Sequence, residues 1–187
     1  PLSVWNLDER SEVGLFEAGI SEPGEMEALQ SVIQPTIGVF TCLGDAHQEN
    51  FTSYEQKCLE KLKLFKDAKV LVYDMDDARV VGCVNRSAFK GEYFAWSRQR
   101  RDVPLYIASV EKREAETVVS YIYKGKEAAC SIPFIDEASL ANSVSCLAVC
   151  LHLGMSPETI AARMAVLEPV AMRLEVKEGR SGCTLIN

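Results

Sequence analysis

Residues 36–73, TIGVFTCLGDAHQENFTSYEQKCLEKLKLFKDAKVLVY, decide the fold. The stretch opens with the apolar run 36–41 and closes with a second one at 69–73, and each has the length and composition of a buried strand. Between them, residues 54–65 carry apolar side chains at every third or fourth position, which is typical of an amphipathic helix. A strand, a helix and a second strand in this order predict a parallel β-α-β unit.

The same alternation extends toward the N-terminus. Residues 13–18 (VGLFEA) predict another buried strand. Ser21 is expected to cap a helix that runs to about Ile33, with Glu22 and Glu25 in its first turn, where the helix dipole favours carboxylates. The predicted fold class is therefore α/β, with a mostly parallel sheet flanked by helices.

The second half of the chain predicts a different arrangement of strands. Three apolar runs joined by polar turns indicate an antiparallel meander beside the parallel sheet: residues 104–110, 117–124 and 128–133. A buried helix is expected from Asp136 to Leu153, and another from Ser156 to about Leu167. Residues 173–177 and 182–186 predict a last pair of strands.

Composition excludes several classes of protein. The 187 residues are 48% hydrophobic and 25% charged, which suits one globular domain with a real core. No apolar run reaches the roughly 20 residues that span a bilayer. The net charge of −7 argues against nucleic acid as a partner. Seven cysteines without a C-x-x-C pair favour free thiols in a reducing cytoplasm over disulfides or zinc.

Two polar residues occupy positions where ligands bind in open α/β sheets, beyond the carboxyl ends of the strands. Glu17 lies at the end of the predicted first strand, and His47 lies in the loop after the second. A carboxylate and an imidazole at one edge suit a hydrated divalent cation that bridges to phosphate. The alternative is that Glu17 belongs to a solvated acidic face and His47 bonds a backbone carbonyl.

Glycine-rich phosphate-binding motifs are missing from the sequence. G-x-x-x-x-G-K-S/T does not occur, and the only Gly-Lys pair, Gly125–Lys126, falls in a predicted hairpin turn. The residues alone therefore predict an α/β domain with a candidate cation site and without a phosphate loop of its own.

Four segments resemble, in order, the central domain of the Mur ligases, the ATP-dependent amide-forming enzymes of peptidoglycan synthesis. They are residues 17–26 (EAGISEPGEM), 41–51 (TCLGDAHQENF), 60–65 (EKLKLF) and 168–175 (EPVAMRLE). The first two are most similar to the branch that adds D-alanyl-D-alanine to a UDP-N-acetylmuramoyl-tripeptide. Residues 1–187 are accordingly identified as most of one Mur ligase central domain, lacking its phosphate-loop unit.

The resemblance implies roles for individual residues. Glu17 and His47 match the family's magnesium-binding pair, and Lys61 matches a lysine that is carbamylated in many relatives. Asn142 matches an asparagine that contacts adenine, and Arg173 matches an arginine near the nucleotide. The alternatives are that Asn142 bonds a neighbouring loop, that Arg173 is a surface arginine, and that Lys61 is one of four surface lysines: Lys57, Lys61, Lys63 and Lys66.

The resemblance also implies ATP and Mg²⁺ as cofactors and an acyl-phosphate mechanism in the cytoplasm. The sequence departs from the family at Cys42, where asparagine is common, and at Ala138 and Ser139, where a His-Asn pair is frequent. The family's G-T-N-G-K-T loop is expected upstream of Pro1, so we expect a fragment that is inactive alone. Its parent protein resembles the ligases that are fused to a pyridoxal-phosphate alanine racemase.

Two other functions compete with this interpretation. One is a ligase of the folate-polyglutamate type, against which the segment GISEPGEM argues. The other is a non-catalytic α/β binding or scaffold module that has kept the fold without the chemistry.

Overall fold

The computed structural model describes residues 2–168, 176–178 and 183–186. Its centre is a six-stranded sheet in the order β1-β2-β3-β4-β5-β6. The strands are β1 Ile37–Phe40, β2 Val70–Asp74, β3 Glu92–Ser97, β4 Leu105–Lys112, β5 Thr117–Tyr123 and β6 Lys126–Ile132. Strands β1 to β4 pair in parallel, whereas β4, β5 and β6 pair antiparallel. The predicted fold class, a mostly parallel sheet with an antiparallel meander, is confirmed.

Five α-helices accompany the sheet in the described residues: α1 Glu25–Ile33, α2 Tyr54–Lys63, α3 Ala78–Val84, α4 Glu137–His152 and α5 Pro157–Met164. Short 3₁₀ turns span Leu2–Asn6 and Gln48–Asn50. The predicted last pair of strands is present as β7 Val176–Glu178 and β8 Thr184–Ile186. None of the helices described is long and apolar enough to cross a membrane.

Both faces of the parallel strands are buried, as in other parallel sheets. Along β2, Val70 and Val72 face a core shared with α4 and α5, whereas Leu71 and Tyr73 face a core shared with α2 and α3. This period of two explains why the strand reads as a continuous apolar run.

The predicted starts of three helices are confirmed by their caps. Ser53 accepts a hydrogen bond from the backbone N–H of Gln56 at α2, and Asp136 accepts one from Ser139 at α4. Ser156 caps α5, which has proline at its first position. Side-chain oxygens at these positions satisfy N–H groups that the first helical turn leaves unpaired.

The predicted start of α1 at Ser21 is wrong, because the helix begins at Glu25. The preceding residue, Gly24, has a left-handed backbone with φ of 94° and ends a turn rather than continuing a helix. The Glu25 carboxylate accepts hydrogen bonds from the backbone N–H groups of Ser21 at 2.6 Å and Glu22 at 3.0 Å. Residues 21–24 therefore form a loop that is fixed by the helix that follows it.

The predicted buried strand at residues 13–18 is also wrong. This segment has no regular secondary structure, and Leu15 is 91% exposed. Apolar side chains form a strand only where a neighbouring strand can pair with their backbone, and in the described part of the chain none pairs with this segment.

Helix α3 and strand β3 were not predicted from the sequence. Asp77 caps α3 by accepting hydrogen bonds from the N–H groups of Arg79 and Val80. Strand β3 (EYFAWS) lies between β2 and β4 and buries Phe94 and Trp96. The parallel part of the sheet is therefore one strand wider than predicted.

Candidate functional site

A small pocket of about 70 Å³ lies at the carboxyl end of β1. Its walls include Phe40 at the end of the strand, Cys42 just beyond it, and Lys61 of α2. Ala18, the residue after Glu17, forms another part of the wall. This is the edge at which open α/β sheets bind ligands.

Lys61 is half-buried in this pocket. Its ammonium group donates a hydrogen bond to the carbonyl oxygen of Cys42 at 3.2 Å and lies 5.7 Å from the centroid of the Phe40 ring. Burial lowers the pKa of Lys61, and the nearby charge of Lys57 lowers it further. A larger share of Lys61 is therefore a neutral amine, the form that reacts as a nucleophile.

Lys57 is buried, and its interpretation as a surface lysine is wrong. The side chain is 2% exposed, and its ammonium group donates hydrogen bonds to the carbonyl oxygens of Gly44, at 2.7 Å, and Ala46. It also lies 6.0 Å from the centroid of the Phe51 ring. Lys57 thus holds the backbone of residues 41–51, which we name the His47 loop.

Glu60 completes one face of α2. Its carboxylate accepts a hydrogen bond from the backbone N–H of Gly24 at 2.6 Å and pairs with Lys63 at 2.7 Å. Lys57, Glu60 and Lys61 are three and four residues apart, so they share one side of the helix. That side contacts the His47 loop, the start of α1 and the end of β1. The position of these three residues on one side of α2, against two loops and the end of β1, was not predicted, although their spacing along the sequence is that of one helix face.

The loop before α1 and the His47 loop also contact each other. The side-chain amide of Asn50 donates a hydrogen bond to the carbonyl oxygen of Ser21 at 2.9 Å. Hydrogen bonds from the backbone of Ser21 and Glu22 lower the pKa of Glu25, and the charge of His47 contributes to the same shift. His47 therefore lies near the start of α1, with a left-handed backbone at φ of 58°.

Glu17 and His47 are both exposed and belong to the two segments that border the pocket. No group of three or more His, Cys, Asp or Glu side chains in the described residues is arranged to hold a metal. The predicted metal ligands are Glu17, His47 and Lys61, and only the first two are of these residue types. The pairing of Glu17 with His47 around a cation stays a prediction.

Asn142 lies on α4, which begins at the same edge of the sheet. Glu137, the first residue of α4, pairs at 3.0 Å with Arg98, which directly follows β3. Asn142 is exposed, and in the part of the chain described its side chain has no hydrogen-bond partner. Its contact with a nucleotide stays a prediction. Arg173 lies outside the described residues.

Two carboxylates at the end of β2 were not predicted as part of a site from the sequence. Asp76 accepts hydrogen bonds from the Ser97 hydroxyl and from the backbone N–H of Arg98, the latter at 2.7 Å. Asp74 accepts one from the N–H of Asp76 at 2.8 Å, and burial raises the pKa of Asp74. These contacts fix the loop after β3 and place a carboxyl group with an elevated pKa at the ligand-binding edge.

Comparison with known families decides where the chain belongs. Residues 1–150 match the family described as the Mur ligase middle domain. This chain is a Mur ligase middle domain. The family resemblance that was inferred from four short segments is thereby confirmed.

Two relatives of this Mur ligase domain are UDP-N-acetylmuramoyl-tripeptide--D-alanyl-D-alanine ligases. The one from Bacillus subtilis (strain 168) is 26% identical over 193 residues, which cover 100% of this chain and 40% of the relative. The one from Borreliella burgdorferi is 26% identical and covers 86% of this chain and 34% of the relative. The chain thus spans two fifths or less of the length of these relatives.

Solved structures show the same fold. MurF from Acinetobacter baumannii superposes with a TM-score of 0.74 at 17% identity, over 87% of this chain and 36% of that one. MurF ligase from Thermotoga maritima in complex with ADP gives a TM-score of 0.69 at 21% identity, over 86% and 37%. A folylpolyglutamate-type neighbour, FPGS from L. casei, gives 0.63 at 16% identity, over 88% and 40%. None of these comparisons bears on the predicted racemase fusion.

The buried contacts of Lys57 lead to a first prediction. Replacing Lys57 with methionine should lower the free energy of unfolding by about 2–4 kcal/mol, because two loop carbonyl groups lose the charged donor that the buried Lys57 side chain supplies. The exchange of backbone amide hydrogens in residues 44–50 should also become faster. Urea unfolding and hydrogen-exchange mass spectrometry measure the two effects.

A Lys66→Met variant, which changes an exposed lysine, is the matched control. Unchanged stability and exchange in Lys57→Met would show that Lys57 does not hold the loop.

Proposed function

We propose that this chain is the truncated central domain, residues 1–187, of a cytoplasmic ATP-dependent ligase that joins D-alanyl-D-alanine to UDP-N-acetylmuramoyl-tripeptide. The names of the two relatives support the reaction. The observation that carries the proposal is the half-buried Lys61, whose pKa is lowered, at the carboxyl end of β1. Segments with the proposed cation ligands Glu17 and His47 border the same pocket.

The residues at this edge suit a hard cation once Lys61 has been carbamylated. In that step the neutral amine of Lys61 forms a bond to the carbon of CO₂ and releases a proton to solvent. The product carries carboxylate-like oxygens, which together with Glu17 and His47 would give Mg²⁺ oxygen and nitrogen donors. When bound, Mg²⁺ neutralises negative charge on the transferred phosphoryl group.

The proposed reaction has two steps. The γ-phosphoryl group of ATP passes to the carboxylate of the tripeptide, which becomes an acyl phosphate. The amine of D-alanyl-D-alanine then attacks the acyl carbon, and phosphate leaves. We propose that Asn142 and Arg173 contact the nucleotide. The 187 residues contain no G-x-x-x-x-G-K-S/T loop, so we do not attribute the activity to them alone.

Two alternatives remain to be compared with this proposal. The folate-polyglutamate alternative is supported by a shared fold. The scaffold alternative is supported by the missing phosphate loop. The superposition on L. casei FPGS shows the fold alone, because the identity is 16%. The names of the two relatives argue against a scaffold, since both are ligases.

A ligase assay of the natural protein that contains this chain tests the proposal. ADP release should require UDP-N-acetylmuramoyl-tripeptide and D-alanyl-D-alanine together, in the presence of ATP and Mg²⁺. Tetrahydrofolate with glutamate is the control pair and should give no ADP above background. ADP release with the folate pair, or with neither pair, would contradict the proposed reaction.

A further inference from the structure

A second and larger cavity, of about 600 Å³, is lined by residues of β3, β4 and β5. Its walls include Glu92, the first residue of β3, the turn at Lys124 and Gly125, and His152 at the end of α4. The Lys61 pocket is at the carboxyl end of β1, which runs parallel to β3 through β2. Strand β2 therefore separates the β1 strand of the Lys61 pocket from the β3 strand of this cavity. The larger cavity has the size of a small-molecule site.

Two cations on its wall each lie over an aromatic ring. The guanidinium group of Arg101 lies 5.3 Å from the ring centroid of Tyr106, and the ammonium group of Lys124 lies 5.0 Å from that of Tyr123. Neither cation forms an ion pair with any residue that the structure describes. Stacking on an aromatic face orients a cation without neutralising it. The cavity thus has two available positive charges on a chain whose net charge is −7.

Aromatic side chains form part of the wall. The Tyr123 hydroxyl donates a hydrogen bond to the carbonyl oxygen of Leu151 at 3.2 Å, which ties the wall to α4. His152 packs edge-on against Phe94, with ring centroids 5.5 Å apart. Glu92 is the one carboxylate in the lining, so the two cations outnumber it. Apolar walls with a few convergent charged groups are typical of sites that bind an organic ion.

We propose that this cavity binds a small organic anion, with a phosphate or carboxylate group on Arg101 and Lys124 and an aromatic or apolar body against the ring-lined wall. The site is independent of the ligase proposal, since it shares no residue with the Lys61 pocket.

Saturation-transfer NMR with phenyl phosphate, on the natural protein that contains this chain, tests the proposal. Phenyl phosphate should bind with a Kd of about 1 mM or tighter, as expected for a small ligand with one charged group. The double variant Arg101→Gln/Lys124→Gln should weaken binding about tenfold or more, which follows from losing both charged partners. Both residues are exposed, so the variant should keep its fold, which circular dichroism checks.

Matched controls separate this site from others. Lys66→Gln and Lys90→Gln change exposed lysines outside the cavity and should leave the affinity unchanged. Phenol and inorganic phosphate, which each carry half of the proposed ligand, should compete more weakly than phenyl phosphate. The proposal is overturned by no binding of phenyl phosphate up to about 10 mM, by equal affinity in the double variant, or by equal competition from phenol or phosphate.

Discussion

Lys61→Ala is expected to lower the ligase activity of the natural protein about 100-fold or more, which corresponds to roughly 2.7 kcal/mol of transition-state stabilisation. The substitution removes the amine at the carboxyl end of β1 and with it the proposed carbamate. It removes only one hydrogen bond, to the carbonyl oxygen of Cys42, so the fold should persist. The loss should therefore appear in kcat rather than in the amount of folded protein.

A matched substitution separates this effect from a general loss of positive charge. Lys66→Ala removes an exposed lysine from the same part of the chain and should keep kcat within about twofold, as surface substitutions usually do. ADP release and the thermal midpoint are measured for both variants. If Lys61→Ala kept its kcat within about threefold of wild type, the assignment of Lys61 to the chemistry would be wrong.

Gly91→Ala should destabilise the fold by about 3 kcal/mol or more, because it places a methyl group where the backbone leaves no room. A β-carbon at Gly91 would lie 2.4 Å from the carbonyl oxygen of Lys69 and 2.7 Å from that of Ala68. The backbone N–H of Glu92 donates to the same Lys69 carbonyl at 2.8 Å, which is the first link between β2 and β3. Relieving the clash therefore disturbs the pairing of two central strands.

Gly82→Ala is the matched control, since the same chemical change occurs in open space. Gly82 lies inside α3, and no atom lies within 4 Å of a β-carbon built there. Alanine favours a helix over glycine by about 0.8–1 kcal/mol, so this variant should be as stable as wild type or more stable. Urea unfolding compares the two variants. Similar stability for Gly91→Ala and wild type would show that β2 and β3 do not approach as closely as described.

The sequence predicted most of the fold because local pattern and burial agree in the central elements. Strands β1 and β2 and helix α2 were found from apolar runs with clear periods, and α4 and α5 were also found from capping residues. The prediction of a buried strand at residues 13–18 was wrong because an apolar run is buried only where a neighbouring element covers it. Strand β3 was missed because EYFAWS stands among charged residues and has no helix of clear period before it.

The candidate site was predicted less completely, because charge alone does not reveal tertiary partners. Lys57 was interpreted as exposed, as most lysines are. It is in fact buried, and it donates hydrogen bonds to two loop carbonyl groups more than ten residues away in sequence. Asp74 and Asp76 follow a strand that was predicted, but the partners of Asp76, Ser97 and Arg98, lie at the end of β3, which was not. Lys61 was identified through its family motif, and the structure adds the burial that lowers its pKa.

Carbon-13 NMR of the natural protein in ¹³C-labelled bicarbonate tests the central claim, that Lys61 is the chemical group of this pocket, most directly. Because burial lowers its pKa, Lys61 should form a carbamate at a lower pH than an exposed lysine does. We predict one carbamate signal near neutral pH that is lost in Lys61→Ala and retained in Lys66→Ala. The absence of that signal in the wild-type protein, or its persistence in Lys61→Ala, would contradict the account.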